Sequence, residues 1–309
     1  MNRIATGQVY NSALLGVLTA QGRQAEAGRQ VSSGYKANDL KGYAPEGAAM
    51  TAAQTVKART DALLANNKVL ADRLAAQDDA LTGVEQAVGG ARKAVADAVA
   101  AGDGAQLLQK LNGWLGQTVQ SLNARFGEDA LFAGGTTDRE PVDVTAMADL
   151  TAPGAAAARF HDGAFRRTDR LDEEQTAATG FTATEVGAGF MGIMADIAAY
   201  DQPPTGPFGT RLTPTQIDFL QSKLAPLDAA AADVRGFVAR NGALQARLDT
   251  VTARQSDRAD AAAALVDSRA SVDPAEAASR LQLAGVALQA SAQVFATLSG
   301  SSLLDVLRR

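Results

Sequence analysis

The residues best suited to acid–base chemistry are His161 and Asp162, adjacent in the run Arg159-Phe160-His161-Asp162-Gly163. An imidazole beside a carboxylate can move a proton, but catalysis needs further groups positioned around it. No Ser, Cys or carboxylate constellation recurs nearby, and the chain holds one His and no Cys. A lone His-Asp-Gly in a polar segment reads as a turn. Two acid pairs, Asp78-Asp79 and Glu173-Glu174, suggest a cation clamp. Adjacent side chains on a helix diverge by about 100°, so Asp78-Asp79 is a solvated face. Gly89-Gly90 and Gly134-Gly135 lack the strand-before, helix-after setting of a phosphate loop. Arg235, Arg240, Arg247 and Arg254 fall near helical spacing but are matched by Asp233, Asp249 and Asp257. No enzyme site, metal site or cofactor site is expected.

Composition narrows the classes further. Without cysteine there is no disulfide framework, thiolate nucleophile or cysteine-ligated metal. The 29 Lys+Arg against 34 Asp+Glu give a net charge of −5, which argues against nucleic-acid binding. Length suggests roughly two domains. Aromatics are only 5% of the chain, and abundant alanine points to long helices packed closely together. No unbroken run reaches the ~18 apolar residues of a membrane span. Ala13 to Ala20, ALLGVLTA, could be read as the apolar part of a signal peptide. It is short, follows a single basic residue, and has no small-x-small cleavage site after it, so no cleaved leader is expected.

Five helical tracts must position everything else. The first runs from about Arg3 to Ser33, with Val9, Ala13, Leu14, Val17, Leu18, Ala25 and Val31 apolar and Gly34 as its stop. The second, from about Glu46 to Ala100, places Leu63, Asn67, Leu70, Leu74, Gln77, Leu81, Val84, Val88, Ala91, Val95 and Ala98 at alternating four–three spacing. That is a heptad seam, the pattern of a coiled-coil-like helix. At 1.5 Å per residue, ~55 residues span roughly 80 Å, a rod and not a globule. Polar Asn67 and Gln77 on the seam can fix register and partner number.

Asp103, between Gly102 and Gly104, is an N-cap candidate for a third helix from about Ala105 to Arg125. Leu107, Leu108, Leu111, Leu115, Val119 and Leu122 stripe that helix, with Trp114 beside them as a packing anchor. The fourth tract opens on Thr213-Pro214. Its seam is Ile217, Leu220, Leu224, Leu227, Ala231, Val234, Val238, Asn241, Gln245, Leu248, Thr252, Gln255, Ala259, Ala262 and Val266. Pro226 should kink this helix or delay its regular start. Asp273-Pro274 starts the fifth, with Ala277, Leu281, Ala284, Leu288, Ser291, Phe295 and Leu298 at four–three spacing; Gly300 should end it, and an apolar tail with Leu303-Leu304 follows.

Between these halves heptads vanish. Arg159–Phe160 and Gly180–Val186 could be strands, Phe190–Tyr200 a short amphipathic helix, and Asp201–Gly209 a linker. The expected fold is mainly α: a long antiparallel coiled-coil-like bundle formed by the two halves of the chain, with a small α+β insertion. The corresponding segments are 1–45 and 269–309 for a terminal helical domain, 46–135 and 213–268 for the helical rod, and 136–212 for the insertion. The terminal tracts carry more apolar surface than one partner can cover. Both ends should therefore meet and bury their spare faces against other subunits, through Val9, Leu14, Leu18, Leu281, Leu288, Phe295, Leu298, Leu303 and Leu304.

This layout resembles the flagellin superfamily, and within it the hook-associated protein 3 group. The opening Arg3-Ile4-Ala5-Thr6-Gly7-Gln8-Val9-Tyr10 is similar to that group's RIST-Q-Y start. Val31-Ser32-Ser33-Gly34-Tyr35-Lys36 resembles its LSTGK segment, and Phe126–Gly134 (FGEDALFAG) followed by Asp138 resembles YLFAG-x-x-T-D. Asn241–Leu248 (NGALQARL) looks like LGA-x-x-NRL, Asp273–Leu281 (DPAEAASRL) like D-x-AEA-x-x-x-L, and Ser302–Leu307 like SLLDYL. The matches cover roughly 1–140 and 213–309. After Gly34 the chain departs from the group's DDP-A pattern, reading Asn38 to Pro45.

The resemblance implies a structural role in the bacterial flagellum and no enzyme activity. Copies would form a ring between hook and filament, touching flagellin on one side and another hook-associated protein on the other. The family's subunits are exported through the flagellar type III channel without a cleaved signal peptide, with help from an export chaperone, and act outside the cell. No nucleic acid or membrane insertion is implied. Competing readings are a minor flagellin of the filament and, from another class, a coiled-coil interaction or signalling module.

Overall fold

Where the four–three seams predict helices, the computed structural model has them. It describes residues 2–43, 46–136 and 138–307, with the side chains of 2–7, 40 and 300–307 outside that description. Seven helices follow in order: α1 Asn2–Ser33, α2 Gly47–Ala101, α3 Leu107–Leu122, α4 Ala155–Ala158, α5 Ala183–Tyr200, α6 Pro214–Ala270 and α7 Pro274–Leu307. The fold is mainly α, as the sequence implies. Two short antiparallel hairpins complete it, β1 (Arg125–Phe126) with β2 (Asp129–Ala130) and β3 (Thr168–Arg170) with β4 (Thr176–Ala178). The chain forms two compact units, residues 1–60 with 257–309, and residues 61–256.

In the 61–256 unit, α2 and α6 run antiparallel with their seams inward. Leu70, Leu74, Leu81, Val84, Val88, Ala91, Val95 and Ala98 of α2 are all buried, as are Leu220, Leu227, Ala231, Val234 and Leu248 of α6. Four polar seam residues are buried with them and pair in two layers. Asn67 donates to Gln255 Oε1 at 2.9 Å, and Gln77 donates to Asn241 Oδ1 at 3.0 Å. Both layers also reach outside the helices. Asn67 and Gln255 donate to the Leu171 carbonyl at 3.0 and 2.9 Å, and Gln77 donates to the Thr179 carbonyl at 3.2 Å. Leu171 and Thr179 directly follow β3 and β4, so the seam amides hold the second hairpin as well as each other.

The insertion does not build a core of its own. Phe190, Met191, Met194 and Ile197 of α5 share one apolar cluster with Val84 and Val88 of α2, Leu111 and Leu115 of α3, and Leu220 and Leu227 of α6. The insertion's C-terminal end pairs with the turn between α2 and α3: Gly104 N–H donates to the Gly209 carbonyl at 2.9 Å, and Leu212 N–H to the Gly102 carbonyl at 2.9 Å.

Several local expectations need correcting. Gly180–Val186 is not a strand. Thr182 and Glu185 form a reciprocal capping box, and α5 starts at Ala183, seven residues before Phe190. Arg159 caps α4, and Phe160 makes only an isolated bridge to Val142. The third helix starts at Leu107 and ends at Leu122, because Asp103 accepts from Ala105 N–H in a turn and does not cap the helix. Arg125, expected at that helix's end, instead opens the first hairpin, which turns at Gly127 with φ 62°. The last helix does not stop at Gly300 and runs on to Leu307. Pro226 does not delay α6, which is capped by Thr213 and Gln216 and starts at Pro214. Pro226 lies on its exposed side.

Gly90 is a point of close approach between α2 and α3. A Cβ built there would lie 2.4 Å from the Trp114 indole, whereas one on Gly89 meets nothing within 4 Å. Overpacking of this kind costs about 1–3 kcal/mol, against a helix-propensity gain of about 1 kcal/mol for Gly→Ala. Gly90→Ala should therefore destabilise the protein to urea and Gly89→Ala should stabilise it. Equal unfolding midpoints for the two variants would refute the close packing.

Candidate assembly interface

None of the chemistry-bearing residues forms a catalytic site. His161 turns away from Asp162 and lies 3.0 Å from the Asp143 carboxylate, holding that carboxyl below its usual range together with Arg159. Asp162 instead accepts from the backbone and hydroxyl of Thr184 in the first turn of α5. Asp78 accepts from Asn241 at 3.1 Å, and Glu173 and Glu174 sit exposed at the turn of the second hairpin. Gly134 has φ 59°, and its Cβ would fall 1.8 Å from the Gly163 carbonyl oxygen, so the glycines serve a backbone crossing. Arg235 faces Glu85 of α2 at 3.8 Å, and Arg240 lies 4.3 Å over the Phe237 ring of its own helix. Among the described residues no group of three or more His, Asp or Glu could hold a metal ion.

The terminal unit is different in kind. Its helices α1 and α7 pair antiparallel. Tyr10 meets Phe295 with ring centroids 4.9 Å apart, and Gly28 lies against Leu281. At the α1 end of this pair, Val272 N–H donates to the Gly34 carbonyl at 2.9 Å and Lys36 N–H to the Ala270 carbonyl at 2.8 Å. Gly34, with φ 74°, makes that turn. The contact between the helices is narrow. Among the described residues, only Ala20, Ala27, Ala277 and Ala284 are buried along it. Around them Ala13, Val17, Leu281, Leu288, Phe295 and Leu298 are half-buried.

The predicted assembly residues therefore divide into two groups. Leu281, Leu288, Phe295 and Leu298 face α1 of the same chain. Val9, Leu14 and Leu18 are exposed on α1. Leu303 and Leu304 belong to α7, but their side chains lie outside the described residues. Sequence reading missed a second exposed set: Leu15 at 63%, Leu283 at 68% and Val286 at 64% exposure, with Val294 beside them. Leu283, Val286 and Val294 form their own helical stripe, offset from the four–three seam, and that offset is the signal that could have found them.

One further expectation changes here. Residues Pro274–Ser299 form a helix long and apolar enough to cross a membrane by length and composition. The stretch escaped notice because Ser and Gln break the apolar run while few charges do.

Comparison with known proteins agrees with this architecture. No family model and no curated protein sequence matches the chain. Among solved structures, one described as a flagellar hook-associated protein from Vibrio parahaemolyticus superposes with a TM-score of 0.56 at 16% identity, covering 72% of this chain and 96% of that one. FlgL from Bacillus cereus superposes at 0.53 with 13% identity, covering 71% and 99%. The chain has the fold of the flagellar hook-associated proteins. Within that fold, the apolar stripes of α1 and α7 are the surface with the most to gain from a partner.

Exposed side chains contribute little to the stability of the isolated chain. Leu283→Gln combined with Val286→Gln should shift its unfolding free energy by less than about 0.5 kcal/mol per site. Leu281→Gln, on the seam to α1, should cost about 1–2 kcal/mol for the lost burial. Amide hydrogen exchange along α7 distinguishes the two cases.

Proposed function

We propose that this protein is a structural subunit of the bacterial flagellum that forms the junction between hook and filament, assembling with its own copies through α1 and α7. Its fold, shared with flagellar hook-associated proteins, supports the flagellar role. The observation that carries self-assembly is the apolar surface left uncovered on both terminal helices, at Leu14, Leu15, Leu18, Leu283 and Val286. Contiguous exposed apolar surface marks an interaction site. A ring of copies would bury it, with flagellin and another hook-associated protein above and below. The subunit would act outside the cell after export without a cleaved leader, escorted by an export chaperone. No enzymatic step enters this reading.

The competing reading is a minor flagellin. Electron microscopy of a strain lacking the protein separates the two: intact hooks with filaments shed into the medium are expected of a junction protein, and attached filaments of altered length or shape would support the flagellin. In the same strain, Leu18→Glu with Leu283→Glu should fail to restore attached filaments although the purified variant is folded. Removing residues 1–35 or 270–309 should likewise abolish assembly. Normal filament attachment by either truncated form would overturn the proposal.

A further inference from the structure

A second feature lies within the 61–256 unit, and nothing in the assembly reading uses it. Four arginines from separate segments surround a cavity of about 200 Å³: Arg73 of α2, Arg125 of β1, Arg139 from the loop after the first hairpin, and Arg167 just before β3. Their charges are unevenly answered. Asp169 accepts from Arg167 Nε at 2.9 and 3.1 Å. Arg125 donates to the backbone carbonyl of Glu128, a neutral acceptor. Arg73 and Arg139 form no ion pair or hydrogen bond among the described residues, although the Glu128 and Asp129 side chains also line the cavity.

Arg73 is half-buried, and burial together with the nearby Arg167 charge pushes its guanidinium below its ordinary pKa, an effect that Asp169 and Asp129 offset only in part. Desolvating a cation next to a second cation is unfavourable unless an anion answers both. Guanidinium groups match planar and tetrahedral oxyanions through paired N–H donors. The mouth carries the exposed ring of Phe165, and aromatic and arginine side chains are the pair enriched where proteins make strong contacts. The volume is below the ~300–1,000 Å³ of pockets for drug-sized ligands, which restricts the occupant to a small anion or a side chain.

We propose that this cavity is a carboxylate-binding site centred on Arg73 and Arg139. Two sources present that chemistry: a free polycarboxylate, or the acidic turn Asp172-Glu173-Glu174 of a second copy of this chain. Both leave the neighbouring Asp169 on Arg167.

The test titrates citrate into the full-length protein at constant ionic strength, with chloride as control, following thermal midpoint and binding heat. Saturable binding with a rise in midpoint is expected, weakened at least tenfold in Arg73→Gln with Arg139→Gln. In chloride alone that variant should be at least as stable as the parent, since desolvation and the Arg167 charge outweigh the attraction of Asp169 and Asp129 for the half-buried Arg73. A purely structural role for Arg73 would give the opposite sign. Sedimentation distinguishes the sources. Self-association that is lost in Glu173→Gln with Glu174→Gln and competed by citrate identifies the acidic turn. A chain that remains monomeric while it binds citrate identifies the free anion. No saturable citrate binding, or equal binding by the parent and the arginine variant, overturns the site.

Discussion

Inside the 61–256 unit, everything else depends on four side-chain amides finding partners in one register of α2 against α6. Asn67, Gln77, Asn241 and Gln255 are all but fully buried. A buried amide without a hydrogen bond costs about 1–3 kcal/mol. Sliding one helix by a heptad would separate Asn67 from Gln255 and Gln77 from Asn241 together, so the wrong registers are penalised several times over. Leucine at these positions would pack as well and tolerate the slip. Asn67 Oδ1 and Gln77 Oε1 find no partner among the described residues, so the layers contribute specificity more than net stability. The Leu171 and Thr179 carbonyls complete the network, and so the helix register also fixes where the second hairpin docks.

The terminal unit is held by a different kind of contact. Its seam is built on Ala20, Ala27, Ala277 and Ala284, which bring two helices close but bury little apolar area per residue. The large side chains are mostly elsewhere, on the outer faces. A long helix with apolar residues on more than one side is suited either to lipid or to several protein neighbours. The four–three spacing of Leu281, Leu288, Phe295 and Leu298 toward α1 favours protein neighbours. A lipid-facing helix gains nothing from such a seam, whereas a multi-partner bundle needs one side chain set for each neighbour.

The helices and seams were legible in the sequence because four–three spacing is a local, repeated signal. The seam residues of α2 and α6 could be named one by one before any contact was known. What was not legible depended on distant partners. Nothing near Asn67 or Gln77 indicates that their second partner is a carbonyl at the end of a hairpin strand, about a hundred residues away. The start of α5 was misplaced because Ala183–Gly189 is weakly apolar, so the capping box of Thr182 and Glu185 was outweighed by periodicity beginning at Phe190. Of the residues expected at the interface, Val9, Leu14 and Leu18 are exposed, in keeping with surplus apolar positions on α1. On α7 the regular four–three stripe faces α1, because regular spacing is what an intramolecular helix partner demands.

The two units therefore solve opposite problems. The 61–256 unit closes on itself: Phe132, Phe190, Leu111, Met191 and Ile197 are fully buried, and its polar seam positions choose one arrangement. It has little apolar surface for which it needs a partner. The terminal helices carry much of their apolar surface on the outside, and the contact between them is a narrow one, built on alanines with Leu281 and Phe295 beside them. A chain organised in this way can fold one part alone and leave the other to be completed by neighbours. Folding and assembly then respond to different substitutions, because the residues that decide each are not the same residues. Exposed large apolar side chains are concentrated on the terminal helices, with Val69 and Phe165 the exceptions in the 61–256 unit, and such a distribution favours association through one region over another.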